Sequence, residues 1–132
     1  AVLRRLVRDL DFPIEIIPGP TVREGDGLAM SSRNAYLSAE ERAQAPVIFR
    51  SLTKVAKQIS EGIIKTPDAS IASLTEEIGG TPLARIDYLE IVDSSSLEAI
   101  TSLENANPRL LAAVFLGKTR LIDNVGLPAL IG

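Results

Sequence analysis

Leu110-Leu111-Ala112-Ala113-Val114-Phe115-Leu116, then Gly117-Lys118-Thr119, then Arg120-Leu121-Ile122-Asp123, is the stretch that decides the fold class of this 132-residue chain. A short apolar run, a glycine-bearing break and a second run that alternates polar with apolar read as two strands joined by a tight turn. Upstream, Ile86–Val92 reads as a third strand and Leu97–Leu103 as a short helix. Further back the period lengthens to about 3.6. Val47, Ile48, Leu52, Val55, Ala56 and Ile59 form one helical stripe, with Pro46 at its start and Gly62 as its stop. Thr66-Pro67 opens another helix with Ile71, Leu74 and Ile78 inward, ended by Gly79-Gly80. Ser38-Ala39-Glu40-Glu41 has the form of a capping box, in which Ser38 caps the amides that Glu41 answers. Helices followed by a small antiparallel sheet predict an α+β fold.

The chain opens differently. Val2, Leu3, Leu6, Val7 and Leu10 share one stripe of a helix over 1–10, with Arg4, Arg5 and Arg8 largely outside it. Asp11-Phe12-Pro13 stops that helix, because a residue before proline is pushed out of the α region. Ile14-Glu15-Ile16-Ile17 then reads as a short strand. Helix followed at once by strand is the second half of an αβ unit without its first half; the alternative is an N-terminal helix packed on its own sheet. The first residue is Ala rather than Met, so a piece of a longer chain is expected. The three arginines and the lack of a long apolar run in 1–10 do not fit a signal peptide.

Composition excludes several chemistries. There is no Cys and no His. Zinc and iron–sulfur sites, thiol nucleophiles, Ser-His-Asp triads and imidazole bases therefore cannot be built from this chain, and disulfides are impossible, which fits a reducing compartment. Fourteen Lys+Arg against 17 Asp+Glu leave a net charge of −3, so no cationic excess drives nucleic-acid binding. With 45% hydrophobic residues the chain can bury a core. Its longest apolar run, Leu110–Leu116, is far short of the ~18 residues of a membrane span. At roughly 150 residues per domain, the length predicts one domain, or one plus a fragment.

Between the leading αβ element and the capping box lies a stretch that avoids regular structure: Pro18-Gly19-Pro20, Glu24-Gly25-Asp26-Gly27 and Ser31-Ser32-Arg33-Asn34. Long loops in compact domains are uncommon and often functional. A phosphate needs small donors, a cation and a backbone that approaches closely. Ser31 and Ser32 bring hydroxyls and amides, and Arg33 brings a fork of donors. Gly25 and Gly27 are expected to leave the segment free to move. The plainer alternative makes Ser31–Asn34 ordinary turn and cap residues. Glu24 and Asp26 are expected to be solvated loop charges rather than an acid–base pair, and Glu40-Glu41 to serve the helix N-terminus. Core packing is the default for Phe12, Tyr36, Phe49, Tyr88 and Phe115. Arg120 and Asp123 are read as reaching a neighbouring domain or forming a surface ion pair.

Pro20-Thr21-Val22-Arg23-Glu24-Gly25-Asp26-Gly27-Leu28-Ala29-Met30-Ser31-Ser32-Arg33-Asn34, followed by Tyr36-Leu37, closely resembles the signature of the pantothenate synthetase (pantoate–β-alanine ligase) family. The resemblance continues through Arg5–Leu10, Asp87–Asp93 and Arg120–Asn124, in order and spacing. It implies a cytoplasmic enzyme that joins pantoate to β-alanine with ATP and Mg2+ through a pantoyl-adenylate. In that family a Rossmann-like nucleotidyltransferase domain carries a His-x-Gly-His motif and the pantoate pocket, and a smaller α+β domain closes over ATP.

Carried over residue by residue, Met30, Ser31, Ser32 and Arg33 match the ATP-binding motif, and Val22 matches the residue whose backbone meets adenine. Ser31, Ser32 and Arg33 would then stabilise the leaving pyrophosphate. Both motif histidines are missing, so 1–18 corresponds to the last helix and strand of the Rossmann-like domain and 19–132 to the ATP-closing domain. The resemblance therefore implies a fragment inactive alone, with pantoate and β-alanine bound mainly by the part not present, and with no metal ligand, nucleic acid or membrane contact of its own. Residues 1–17 are expected to be the less stable part, or to be recruited into a homodimer contact. In some relatives a kinase domain follows. The rival expectation is a stand-alone interaction module that kept the scaffold without catalysis.

Overall fold

The computed structural model describes residues 1–127. In chain order it contains α1 (Val2–Asp9), a 3-10 helix (Ser32–Tyr36), α2 (Ala39–Gln44), α3 (Val47–Ser60), α4 (Pro67–Gly79), β1 (Ala84–Asp93), β2 (Pro108–Leu116) and β3 (Thr119–Gly126). The strands form one antiparallel sheet in the order β1-β2-β3, which gives the expected α+β class. Leu116 pairs with Thr119 across a two-residue turn. Gly117, at the first central position, has φ +59°, the conformation a type II′ hairpin asks of that residue. An added Cβ there would run into the Glu41 carboxylate.

One face of the sheet is covered by α3 and α4, α3 lying over β2 and β3 and α4 over β1. Pro108, Leu110, Ala112, Val114 and Leu116 are the buried alternate positions of β2, as period-two geometry requires. They meet Ile48, Leu52, Val55 and Ile59 from α3 and Leu74 and Ile78 from α4. The caps are local and as read: Ser38 and Glu41 form the reciprocal capping box. The Thr66 hydroxyl accepts from the Ala69 N–H, with Pro67 in the first turn of α4.

Three expectations fail. Ile14–Ile17 is not a strand: no strand lies beside it among the described residues, and Ile14 and Ile17 are exposed. A β pattern without a partner has nothing to satisfy its backbone. Leu97–Leu103 is not a helix either. There Leu97 takes a left-handed φ of +60° and the chain turns back on the end of β1: Ala99 bridges Val92, and the Asp93 N–H donates to the Glu98 carbonyl at 2.9 Å. Backbone groups spent on β1 are not available to a helix; of this apolar set Leu103 is buried in the core and Ile100 packs against it. Finally, none of the five aromatic residues is fully buried; Tyr36 is 78% exposed and Phe12 47%. The core is aliphatic, and the half-buried rings Phe49 and Phe115 serve as platforms for Arg23 and Arg85.

Helix α1 has its apolar stripe but no buried residue. Val2, Leu3, Leu6 and Leu10 all face solvent.

Candidate functional site

The loop that carries the Met-Ser-Ser-Arg motif is not free. Arg23 and Ala29 form an isolated antiparallel bridge, flanked by Glu24 N–H to Leu28 carbonyl at 2.8 Å and Met30 N–H to Val22 carbonyl at 2.9 Å. Gly27 turns this small hairpin with φ +92°, and its α-carbon faces the Phe49 ring so closely that a side chain would have no room. Leu28 is buried in the core. Gly25 and Gly27 therefore shape a tight turn instead of granting mobility.

Charges hold the hairpin on two sides. The Arg42 guanidinium, on α2, donates to both Asp26 carboxylate oxygens at 2.6 and 3.2 Å. These bonds hold the Asp26 carboxyl below its ordinary value, with help from the Leu28 N–H. Asp26 is thus an exposed loop charge, as expected, that is also paired, and a carboxylate so stabilised is a poor general acid. On the other side, Arg23 makes a bidentate pair with Asp123 of β3 at 2.6 and 2.9 Å. Asp123 does form an ion pair, but a nearly dry one: the two side chains are 18% and 6% exposed. Arg120 forms its pair on the more open side of the sheet, with Asp87 at 2.8 Å.

After Met30 the chain enters the 3-10 helix. The Ser31 hydroxyl accepts from the Arg33 N–H at 3.2 Å, so Ser31 is a cap, and its own O–H remains available to donate. Asn34 ties the turn back through Nδ2 to the Ala29 carbonyl at 3.0 Å, while its buried Oδ1 has no hydrogen-bond partner. Arg33 is exposed, and among the described residues its guanidinium is held only by a 3.5 Å contact from Nη1 to the Arg120 carbonyl, at the weak limit for a hydrogen bond.

Between this turn and the edge of β3 lies a cavity of about 330 Å³. Met30, Ser31, Arg33 and Asn34 line one wall and Arg120, Ile122 and Asp123 the other. Of the residues singled out in the sequence, Met30, Ser31 and Arg33 meet here. Ser32 and Val22 do not line the cavity; Ser32 is exposed at the start of the 3-10 helix, and Val22 is exposed with its carbonyl occupied by Met30. Arg23, Asn34 and Asp123 enter the site's architecture without having been assigned to it. Arg23 and Asp123 are a hundred residues apart, and no local pattern could have paired them. Asn34 was visible as a turn residue, but its orphaned acceptor is a tertiary property. Among the described residues, no group of three or more His, Cys, Asp or Glu side chains is placed to hold a metal. Chemically, the cavity offers the exposed Arg33 guanidinium and the Ser31 hydroxyl donor, whereas the Met30, Arg33 and Asn34 amides are already donated within the turn; a guanidinium beside a hydroxyl suits a phosphate chain.

Comparison with known proteins gives a consistent picture. The family model for pantoate-beta-alanine ligase matches residues 1–126. The pantothenate synthetase of Herpetosiphon aurantiacus is 46% identical over 125 residues, which cover 94% of this chain and 45% of that protein. That of Rhodospirillum rubrum is 48% identical over 126 residues, 96% of this chain and 44% of its own. Among solved structures, a pantothenate synthetase from Thermus thermophilus superimposes with a TM-score of 0.84 at 41% identity, covering 96% of this chain and 45% of that one. A Francisella tularensis pantoate-beta-alanine ligase complexed with beta-gamma ATP and beta-alanine matches at 27% identity and a TM-score of 0.53, covering 95% of this chain and 38% of that one. The chain spans a little under half the length of the curated relatives it matches.

Proposed function

The chain belongs to the pantoate–β-alanine ligase family, and on that premise we propose that it supplies the ATP-phosphate-binding part of an enzyme that ligates pantoate to β-alanine. The reaction runs in two steps. The pantoate carboxylate attacks the α-phosphorus of ATP and expels pyrophosphate, and the β-alanine amine then attacks the acyl-adenylate and expels AMP. One observation carries the proposal: the motif turn and the edge of β3 enclose a cavity with Arg33 exposed at one wall and only weakly held.

Charge grows on the leaving pyrophosphate as the α–β bond breaks. Arg33 can span two of its oxygens, and Ser31 can donate its O–H because its acceptor lone pair already serves the Arg33 amide. Ser32 stands at the first position of the 3-10 helix, outside the cavity, and serves the outer phosphates. The Val22 backbone is the adenine contact, through its N–H and the remaining lone pair of its carbonyl. The cavity's one carboxylate, Asp123, is committed to Arg23, so Mg2+ arrives on the triphosphate as part of the substrate.

In this proposal residues 1–18 belong with the Rossmann-like domain that binds pantoate and β-alanine, and 19–132 form the closing domain, residues 128–132 lying outside those described. The exposed apolar stripe of α1 supports that division. No described helix is long and apolar enough to cross a membrane, and the reaction is assigned to the cytoplasm. The chain alone holds part of a site, so its affinity for ATP is weak and its turnover nil.

Titration of the 15N-labelled chain with magnesium ATP tests this. The amides of Val22 and Ser31–Arg33 should shift before any others, with a dissociation constant well above the micromolar range. Absence of shifts at Ser31–Arg33 with millimolar nucleotide would overturn the assignment in favour of a module that kept only the scaffold. Micromolar binding would mean the chain holds a complete site.

A further inference from the structure

Arg23 does not line the cavity described above, yet it is the most heavily committed side chain of the motif loop. Beyond its two bonds to Asp123 it donates from Nη1 to the Gly27 carbonyl at 3.1 Å, and its guanidinium carbon lies 3.7 Å from the centroid of the Phe49 ring. One planar group thus joins the hairpin turn, α3 and β3. Lysine could not do this, because a compact ammonium neither spans two carboxylate oxygens nor stacks as a plane.

Asp123, the acceptor, stands on the strand that forms the far wall of the cavity and lines it. Among the described residues, the hairpin's backbone ladder is only with itself, and no backbone hydrogen bond joins residues 20–37 to β3. Burial of Leu28 holds the hairpin down, but hydrophobic burial is non-directional. Of the directional bonds between the two walls the Arg33 contact to the Arg120 carbonyl is at the 3.5 Å limit, and the strong one is the Arg23–Asp123 fork; a nearly dry charge pair tolerates little displacement, because separating it strands both charges.

We propose that Arg23 is a positioning residue of the nucleotide site: its bidentate bond to Asp123 sets where Met30–Arg33 stand against β3, so nucleotide affinity depends on a side chain outside the cavity. The proposal rests on the nucleotide assignment above. It also makes the motif turn a pre-ordered wall rather than a loop that folds around its ligand.

Arg23→Lys keeps the charge and the apolar stem but loses the fork, and Asp123→Asn removes the acceptor charge at constant size; either serves if the other fails to fold. Two readouts on the 132-residue chain decide the matter. Without nucleotide, amide exchange at Glu24 and Met30 should accelerate about tenfold or more while the amides of Leu110–Leu116 keep their protection. With magnesium ATP, the dissociation constant should rise about tenfold. The double variant should be no worse than the worse single one, since both remove one contact. Unchanged loop exchange overturns the proposal. So does equal loosening of loop and sheet, which marks a general stability role, and so does a loosened loop with unaltered affinity. If the parent chain binds no magnesium ATP, the nucleotide assignment falls, and the exchange measurement still decides whether the fork holds the turn.

Discussion

Arg33 is exposed and nearly unbound, which leaves its guanidinium available for the leaving-pyrophosphate role proposed above. A side chain already spent on a protein carboxylate, as Arg23 and Arg42 are, would have to break that bond first. In a chimera in which this chain replaces the matching 45% of the Thermus thermophilus enzyme, Arg33→Ala should slow adenylation by about 10²–10³, or about 3–4 kcal/mol. The β-alanine step, started from preformed pantoyl-adenylate, should change much less. Rapid-quench measurement of both half-reactions checks this; equal slowing of the two steps would reduce Arg33 to a structural role. Gly27 is a second residue-scale case. Its positive φ and its approach to the Phe49 ring leave no place for a methyl group. Gly27→Ala should destabilise the fold by about 2–4 kcal/mol, combining backbone strain with overpacking. Urea unfolding reads it, and a loss under about 1 kcal/mol would show that the ring simply moves aside.

The motif hairpin, residues 20–37, is the element on which the proposed function rests, and it is held on two sides by guanidinium–carboxylate forks. The α2 fork has a pH signature. Arg42's hydrogen bonds hold the Asp26 carboxyl below its ordinary value in the folded chain. Its contribution to stability is therefore complete above the unfolded value, about pH 4, and is lost as pH falls through the lowered folded value. The stability gap between the parent and Asp26→Asn should be constant near neutrality, shrink below about pH 4 and close in stronger acid. Denaturation midpoints across that range measure it, and a gap that persists undiminished at low pH would show that Asp26 acts through shape rather than charge. Because both forks pre-order the hairpin, the weak nucleotide affinity proposed for the isolated chain would reflect contacts that are missing, not a loop that must be ordered.

At the scale of the whole molecule, the sheet with α3 and α4 encloses an aliphatic core of its own, whereas α1 and the segment to Ile17 contribute nothing to it. Amide exchange should divide the chain accordingly: Leu110–Leu116 protected to the level of global unfolding, Val2–Asp9 close to an unstructured peptide. Strong protection of 2–9 in a proven monomer would show a docking that the core does not require. The same division predicts chemistry. The purified chain, given pantoate, β-alanine and magnesium ATP, should form no pantothenate above blank, and turnover would overturn the division of labour proposed above.

Features that depend on near neighbours were legible in the residues. The Ser38–Glu41 box, the Thr66-Pro67 helix start and the Gly117 hairpin each need only three or four positions to specify them, and the 20–34 motif carries the family because its order is itself the signal. What depends on distant partners was not legible. Ile14–Ile17 has the composition of a strand and lacks the partner that would make it one. Segment 97–103 has helical apolar spacing, but folding turns it back at Leu97 and pairs Ala99 with Val92 at the end of β1. Arg23, one more loop cation in the sequence, is joined to Asp123 across a hundred residues. The amino-acid sequence determined the family and most of the elements, because helix caps and tight turns are satisfied within a few residues of chain. The tertiary structure alone decided how the motif turn is fixed against β3, because a hydrogen-bonded ion pair exists only where folding brings both partners out of water together.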